Sequence, residues 1–222
     1  MTQQNTFDSY IDLMGSSLEN MNLTEKDSYA NFLAQTYYYV SHSTRFLAFS
    51  AGLMGDDDKK YFNRFIKHIS EEHNHELLAL RDLKNLGYAI TDFPESMESK
   101  MLWETQYYKI QHEDPLSLIG YIIPLEMMSA KYFPDFLQRV TKAFGSKTNS
   151  FVRVHAEEDP DHIEEALAIL NELSGKRKER VVTNIMQTAI SYTNLINALP
   201  KKSFNELYFS PELQNAETII NL

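Results

Sequence analysis

Apolar residues recur along this chain at intervals of three and four positions, and no run alternates apolar and polar residues as a half-buried strand does. The pattern is typical of amphipathic helices, and turn signals separate one helix from the next. The predicted helices cover residues 24 to about 52 or 55, 56–87, 96–112, 114 onward, 147–173 and 178–198, with weaker ones over the first twenty residues and after 203. We therefore expect an all-α, single-domain bundle of about eight helices over residues 1–222.

Prolines mark where these helices begin and where they are disturbed. Asp114 followed by Pro115 combines an N-cap acid with proline at the first helical position, which is a strong start signal. Pro124 and Pro134 lie further along the same helix, where a missing backbone N–H predicts kinks or a break. Pro160 is expected to bend or break the helix over residues 147–173.

Composition excludes several classes of protein. The 222 residues carry a formal charge of −10, which opposes binding to duplex nucleic acid, and they include no cysteine, which removes disulfides, thiolate metal sites and a cysteine nucleophile. No segment approaches 18 uninterrupted apolar residues, so we expect no membrane span. The first residues do not resemble a secretory signal, and a cytoplasmic location is expected.

Two similar clusters, HISEEHNH at residues 68–75 and HAEEDPDH at residues 155–162, place ionisable side chains on apolar helix faces. At 100° per residue, the face that carries Phe65 and Leu83 also carries the polar residues His68, Glu72 and His75. On the second helix the apolar face carries His155, Asp159 and His162, and on a third helix it carries Glu126. Glu71 shares a face with Arg64 and Lys67 and is expected at the surface.

Burying these groups without compensation would cost several kcal/mol. A divalent cation supplies the compensation, and carboxylates with imidazoles from facing helices are the ligands of di-iron and di-manganese bundles. The predicted ligands are Glu72, His75, Glu126, His155, Asp159 and His162. His68 is either a seventh ligand or a partner of one. The alternative is an internal salt-bridge network, and zinc fits six ligands less well.

One face of the helix predicted over residues 26 to 52 is both polar and aromatic. It carries Gln35, Tyr38 and His42, which we predict to line a substrate pocket. The alternative is a packed helix whose tyrosine hydroxyls are satisfied within the protein.

The segments EEHNHELLALRDLKNLG, DPLSLIGYIIPLE and HAEEDPDH, in that order, resemble the heme-oxygenase-like di-iron oxidases, relatives of TenA and PqqC-type proteins. The resemblance covers about residues 30 to 190 and implies a heme-oxygenase-like fold with two irons. It implies that Glu72 and His75, then Glu126, then His155, Asp159 and His162 are the ligands. Wider spacing of the first acid and histidine in some relatives leaves Glu71 or His68 as alternatives to Glu72.

We therefore expect an oxidase or oxygenase that activates O₂ and oxidises a small organic substrate, with two iron ions, or manganese, as cofactor. Beyond the metal ligands we predict no catalytic residue. The alternatives are a metal-free TenA- or PqqC-like enzyme, of which the thiaminase type needs a cysteine that this chain lacks, and a non-catalytic ligand-binding bundle. A homodimer is left open.

Overall fold

The computed structural model describes residues 3–199, except for the side chains of residues 3–6, 160 and 161. The α-helices are α1 (Gln3–Glu19), α2 (Lys26–Val40), α3 (Ser43–Leu53), α4 (Lys59–Glu72), α5 (His75–Asn85), α6 (Met97–His112), α7 (Ile119–Phe144), α8 (Ser150–Glu172) and α9 (Gly175–Ala198). Short 3-10 helices occupy Asp56–Asp58, Ile90–Asp92, Pro115–Leu118 and Ser146–Thr148. The described residues contain no strand, and the predicted all-α fold is confirmed. The helix predicted after residue 203 lies outside them.

Side-chain caps begin two helical segments where the sequence predicted them. Ser96 precedes α6, and its Oγ accepts a hydrogen bond from the Ser99 backbone N–H at 3.1 Å. Asp114 accepts a hydrogen bond from the Leu116 backbone N–H at 2.9 Å, and Pro115 is the first residue of the 3-10 helix that leads into α7. Each cap satisfies a backbone donor that the first turn would otherwise leave unpaired.

Two predicted long helices are each divided in two. The helix expected from residue 24 to 52 is interrupted between α2 and α3, where Ser41 Oγ donates a hydrogen bond to the Tyr37 carbonyl at 2.6 Å. The helix expected over residues 56–87 ends at Glu72 and restarts at His75, because Asn74 adopts a left-handed conformation with φ of 70°. Asparagine tolerates this conformation better than most residues, so a short break needs no glycine.

The prolines inside helices do not break them. Helix α7 continues through Pro124 and Pro134 over 26 residues, and α8 continues through Pro160 over 23 residues. Of the kinks or breaks predicted at these prolines, the structure therefore excludes the breaks. Packing on both sides of each helix outweighs the loss of one backbone hydrogen bond per proline.

Helix α7 is central to the bundle and packs against α1, α8 and α9. It approaches α9 closely at Gly120, where an added Cβ would overlap the Val181 carbonyl oxygen and lie 2.7 Å from Asn184 Cβ. The absence of a side chain at Gly120 therefore sets the distance between the two helices. This contact fixes α7, the helix that carries Glu126.

Within residues 3–199, no helix is long and apolar enough to cross a membrane. The mostly amphipathic helices instead direct their apolar faces into a shared core that includes the fully buried rings of Tyr29, Phe32, Phe65 and Phe136.

We expect Gly120→Ala to lower the free energy of unfolding by about 1–3 kcal/mol, because the new methyl group meets backbone atoms of α9 that cannot move alone. Urea unfolding followed by circular dichroism measures the change. Gly52→Ala is the matched control, because Gly52 lies exposed in α3 with nothing within 4 Å of its added Cβ. That change is expected to be neutral or to stabilise by up to about 1 kcal/mol. Equal effects at both positions would contradict the close contact.

Candidate metal centre

The first histidine-rich cluster lies at the junction of α4 and α5. His68 is buried on the inner face of α4 beside Phe65, and Glu72 is the last residue of that helix. The chain then turns at Asn74, and His75 begins α5 with its Nδ1 3.6 Å from Glu72 Oε2. Glu72 and His75 therefore face the same space, although they belong to two helices.

The second cluster lies on the inner face of α8. His155, Asp159 and His162 are buried, whereas Glu157 is exposed. The Nδ1–H of His155 donates a hydrogen bond to the Phe151 carbonyl at 2.9 Å, which leaves Nε2 as the unprotonated, ligating nitrogen of the neutral ring. A metal-binding histidine commonly has this arrangement, because the hydrogen bond fixes the orientation of the ring.

Helix α7 contributes Glu126 between the two clusters. Its Oε1 lies 3.4 Å from His68 Nε2 and 3.7 Å from His162 Nδ1. Its Oε2 is buried and has no hydrogen-bond partner within the described part of the chain. The Glu126 carboxylate thus lies within 3.7 Å of one histidine from each cluster.

These side chains form two groups, each with three ligand atoms that lie within 4.8 Å of one another. The first triad is His68, Glu126 and His162, and the second triad is Glu72, His75 and His155. Each triad combines side chains from both clusters, with ring centroids 5.1 Å apart for His68 and His162 and 5.0 Å apart for His75 and His155. The triads adjoin, since His68 Nε2 lies 3.5 Å from Glu72 Oε1.

The spacing of the donor atoms fits metal ions better than hydrogen bonds. Distances of 3.4 to 3.7 Å exceed the usual N···O hydrogen-bond range of about 2.7–3.2 Å. Ligand atoms held about 2.1 Å from one ion lie roughly 3.0–4.2 Å apart, which matches these distances. His75 Nδ1 and His162 Nδ1 are buried and, among the described residues, have no hydrogen-bond partner. Imidazole and carboxylate donors suit iron and manganese.

Asp159 lies beside the first triad without belonging to it. Its carboxylate accepts a hydrogen bond from Ser129 Oγ on α7, and its Oδ1 lies 3.8 Å from His162 Nδ1. The helical backbone is continuous through Pro160, so Asp159 and His162 remain on one face of α8. The structure thus brings all six predicted ligands together with His68, the possible seventh ligand.

Burial and mutual repulsion oppose full ionisation of the carboxylates. Burial raises the pKa of Glu126 well above its ordinary value, and the Asp159 and Glu72 charges raise it further. Burial also raises the pKa of Asp159, against the lowering effect of the Ser129 hydrogen bond. For Glu72, burial alone would raise the pKa, but the nearby His68 and His75 imidazoles hold it well below its ordinary value. These shifts favour the ionised form of Glu72 and the protonated forms of Glu126 and Asp159.

The histidines on α8 are held in the form that binds metals. Burial lowers the pKa of His155 and of His162, and the nearby His68 lowers that of His162 further. Neutral imidazole is the form whose nitrogen lone pair can bind a metal ion. His75 differs, because the Glu72 carboxylate outweighs the effect of burial and raises its pKa.

Glu71 is not a free surface residue, contrary to the prediction from its helix face. Its side chain is 24% exposed, and its Oε2 lies 3.2 Å from Arg64 Nη1 and 3.7 Å from His162 Nε2. Lys67 pairs with its other oxygen at 3.1 Å. Glu71 therefore connects two cations at the rim of the bundle to the outer nitrogen of a residue of the first triad. The end of α4 at Glu72 makes this possible, because α8 packs beside the last turn.

Gln35, Tyr38 and His42, which were predicted to line a substrate pocket, contact the segment 90–96 and α6 rather than the triads. The Gln35 amide donates to the Pro94 carbonyl at 3.0 Å and accepts from the Ser96 backbone N–H at 2.9 Å. Tyr38 bonds to backbone carbonyls of the 90–93 turn, and the His42 ring stacks on the Trp103 ring at 3.8 Å. These contacts hold α2 and the turn that follows it against the segment 90–96 and against α6.

A cavity of about 80 Å³, here called the central cavity, adjoins the triads. Apolar side chains from α2, α3, α7 and α8 form most of its wall, among them Phe46, Leu47, Ile122, Phe133 and Phe151. Part of the wall is polar, and it is formed by His68, Glu72, Glu126, Ser129, His155 and Asp159. A molecule in this cavity would lie against the carboxylates and histidines. The sequence did not reveal this pocket, because its lining comes from helices distant along the chain.

Comparison with known proteins identifies the family. The sequence profile of the iron-containing redox enzymes matches residues 30–192. The chain belongs to this family. The matched region includes every member of both triads, and the predicted resemblance to iron-containing heme-oxygenase-like proteins is thereby confirmed.

Two solved structures show that this member of the family has a heme-oxygenase-like fold. A domain of unknown function from Shewanella denitrificans OS217 superposes with a TM-score of 0.79 at 19% identity, covering 95% of this chain and 96% of that one. A TenA homolog from Pseudomonas syringae pv. tomato DC3000 gives a TM-score of 0.72 at 11% identity, covering 88% and 91%. At these identities the likeness establishes the fold alone. No curated protein sequence matches the chain.

We expect the chelator-treated protein to lose stability as the pH rises above the range in which exposed carboxyl groups ionise, about pH 4. The folded state keeps protons on Glu126 and Asp159 that the unfolded chain has already released, so increasing pH favours unfolding. The lowered pKa values of His155 and His162 act in the opposite direction only below about pH 6.5. Urea unfolding at several pH values measures this slope, which should be smaller in Glu126→Gln.

The control for this slope is Glu157→Gln, which removes an exposed carboxylate from the outer face of α8. It should leave the pH dependence of wild type unchanged. A Glu126→Gln protein that loses stability with rising pH as steeply as wild type would show that burial does not hold a proton on Glu126.

We further expect Glu71→Gln to weaken metal binding by about tenfold, because Glu71 Oε2 lies 3.7 Å from His162 Nε2, and a small movement of the side chain would let it accept the outer N–H and orient that ring. Competition with a chromophoric chelator measures the affinity. Glu164→Gln is the control, since Glu164 is exposed on α8. Unchanged affinity in Glu71→Gln would show that Glu71 pairs with Arg64 and Lys67 but does not orient the His162 ring.

Proposed function

We propose that this protein is a non-heme di-iron oxidase or oxygenase that uses O₂ to oxidise a small organic molecule. The observation that carries the proposal is the pair of adjoining triads beside an apolar cavity. Membership of the iron-containing redox enzyme family supports the choice of iron, with manganese as the alternative cofactor. Two triads support two ions.

In this proposal each triad holds one ion. His68, Glu126 and His162 would hold one, and Glu72, His75 and His155 the other. Asp159 is close enough to the first triad to complete its coordination after small movements of the side chain. When bound, iron supplies the O₂ activation and electron transfer that protein side chains lack.

The three carboxylates determine the charge of the centre. Glu72, Glu126 and Asp159 together offset three of the four positive charges of two ferrous ions. Because burial raises the pKa of Glu126 and of Asp159, both must release protons when ions bind. The net charge of the loaded centre is then small, which suits a site inside a helix bundle.

The apolar wall of the central cavity has two roles in this proposal. Residues such as Phe46, Phe133 and Phe151 exclude water from the space beside the triads, which protects a reactive centre from side reactions. The same wall holds the substrate next to the ions, so that the oxidised position is selected by orientation.

We place the activity in the cytoplasm, with O₂ and a small molecule as partners. The net charge of −10 supports the absence of duplex nucleic acid from these partners. The second candidate is a metal-free TenA- or PqqC-like enzyme or a ligand-binding bundle. The fold shared with a TenA homolog is compatible with that candidate, but it leaves the paired triads without a role.

The test is anaerobic loading with Fe(II), followed by gel filtration and metal analysis. We expect about two ions per chain in wild type. His155→Ala and Glu126→Gln each remove a member of one triad, and both should reduce retained iron to about one ion or fewer. Glu157→Gln, on the outer face of α8, should retain two. The ferrous wild type should also consume O₂ when exposed to air.

Retention of no more than a trace of iron at near-saturating supply would exclude the di-iron proposal and favour the metal-free candidate. Two ions without O₂ consumption would favour the non-catalytic bundle.

A further inference from the structure

Aromatic side chains in contact with one another lead from the central cavity toward the surface of the bundle. Phe46 is buried on α3 and lines the cavity, whose wall also includes Glu72 and Glu126. The Phe46 ring packs edge-on against the Tyr107 ring of α6, with centroids 4.8 Å apart. Tyr107 is half-buried, so solvent reaches part of its side chain. One phenylalanine therefore connects a partly exposed tyrosine to the cavity beside the triads.

The Tyr107 hydroxyl is hydrogen-bonded to a histidine. Its oxygen lies 3.0 Å from His42 Nδ1, within the range of about 2.6–3.2 Å over which a proton passes directly between two groups. Burial and the nearby Arg45 charge lower the pKa of His42 to about 4, so the imidazole is neutral at neutral pH. In the tautomer with its proton on Nε2, the His42 ring accepts the Tyr107 O–H at Nδ1. The pair thus combines a phenol with a base placed at its proton.

Trp103 holds the histidine of this pair in place. The His42 ring stacks on the Trp103 ring with centroids 3.8 Å apart and an angle of 10° between the planes. The Trp103 indole N–H donates a hydrogen bond to Glu95 Oε1 at 2.7 Å, which fixes the indole in turn. The stacked rings restrict rotation of the imidazole, so Nδ1 stays directed at the Tyr107 hydroxyl.

A tyrosine in such surroundings can be oxidised by one electron. Loss of the electron makes the phenol O–H a much stronger acid than imidazolium, so the proton moves to a base within hydrogen-bond distance. At Tyr107 the electron leaves through the Phe46 contact toward the cavity, and the proton moves to His42 Nδ1. The products are a neutral tyrosyl radical, an imidazolium and an electron acceptor reduced by one electron, so charge and atoms balance.

We propose that Tyr107 and His42 form a redox-active pair that gives one electron to the metal centre when O₂ has oxidised it and no substrate is bound. Without such a donor, the oxidised centre would attack its own ligands and the side chains of the cavity. The pair moves the oxidising equivalent to a half-buried position. There an external thiolate supplies one electron, His42 returns the proton, and Tyr107 is restored. This role rests on the proposed redox function, whereas the ready oxidation of the pair does not.

Freeze-quench electron paramagnetic resonance tests the transfer. The Fe(II)-loaded protein is mixed with O₂ in the absence of substrate, and the spectrum is searched for a tyrosyl radical. We expect the radical in wild type and its loss in Tyr107→Phe. In His42→Gln, which lacks the base, it should form roughly 100-fold more slowly. Tyr108→Phe is the matched control, because Tyr108 is the next residue on α6 and is 62% exposed. That variant should give the wild-type signal.

Flash photo-oxidation of the chelator-treated protein by ruthenium tris(bipyridine) tests the pair without iron. Transient absorbance follows the formation of tyrosyl radicals. We expect Tyr107→Phe to lose the fastest phase, and His42→Gln to slow that phase roughly 100-fold. The Tm of each variant supplies the comparison with a structural role. If the Tyr107–His42 hydrogen bond is only structural, both variants lose Tm and neither changes the fastest phase, which would overturn the inference.

Iron content and O₂ consumption, measured on the same samples, separate this inference from the proposed function. If wild type retains two irons and consumes O₂ but forms no radical, or if the radical persists in Tyr107→Phe, the inference fails and the di-iron proposal stands. If no iron is retained, the di-iron proposal fails, and transfer to a metal centre fails with it. A fastest photo-oxidation phase that depends on Tyr107 and His42 would then still identify the pair as redox-active.

Discussion

The burial of ionisable side chains on apolar helix faces is the constraint on which the rest of this structure depends. Three carboxylates and four histidines converge from α4, α5, α7 and α8, where each charge would be costly alone. Protons on Glu126 and Asp159 and neutral imidazoles on α8 reduce that cost but leave donor atoms without partners. Binding of cations would satisfy the remaining donors, which links the stability of this centre to its chemistry.

The helix arrangement follows from this constraint. The turn at Asn74 lets Glu72, at the end of α4, and His75, at the start of α5, face the same space. In a continuous helix these two side chains would lie about one turn apart. The close packing of α7 on α9 at Gly120 holds Glu126 between the two clusters. The central cavity lies along the same face of α7, so the charged centre and the space for an organic molecule share a wall. A redox enzyme needs this juxtaposition.

The sequence predicted the members of the centre better than its surroundings. The inward positions of Glu126, His155, Asp159 and His162 followed from helical periodicity, because α7 and α8 continue through their prolines. Helical phase could not show that α4 ends at Glu72, since an asparagine in a left-handed conformation gives no signal as strong as glycine or proline. Residues near the end of α4 therefore have neighbours that helical periodicity does not predict.

Contacts between helices account for the remaining differences between the predicted and the observed surroundings of these residues. Glu71 reaches His162 because α8 packs beside the end of α4, and periodicity within one helix contains no such information. Gln35, Tyr38 and His42 fill a polar and aromatic face, but the segment 90–96 and α6 cover that face.

The central claim is that the two triads hold two ions in one dinuclear centre. Crystals of the Fe(II)-loaded protein, measured on both sides of the iron absorption edge, test it most directly. Two anomalous peaks about 4 Å apart are expected, one between His68, Glu126 and His162 and the other between Glu72, His75 and His155. A single peak, or two peaks outside these residues, would contradict it.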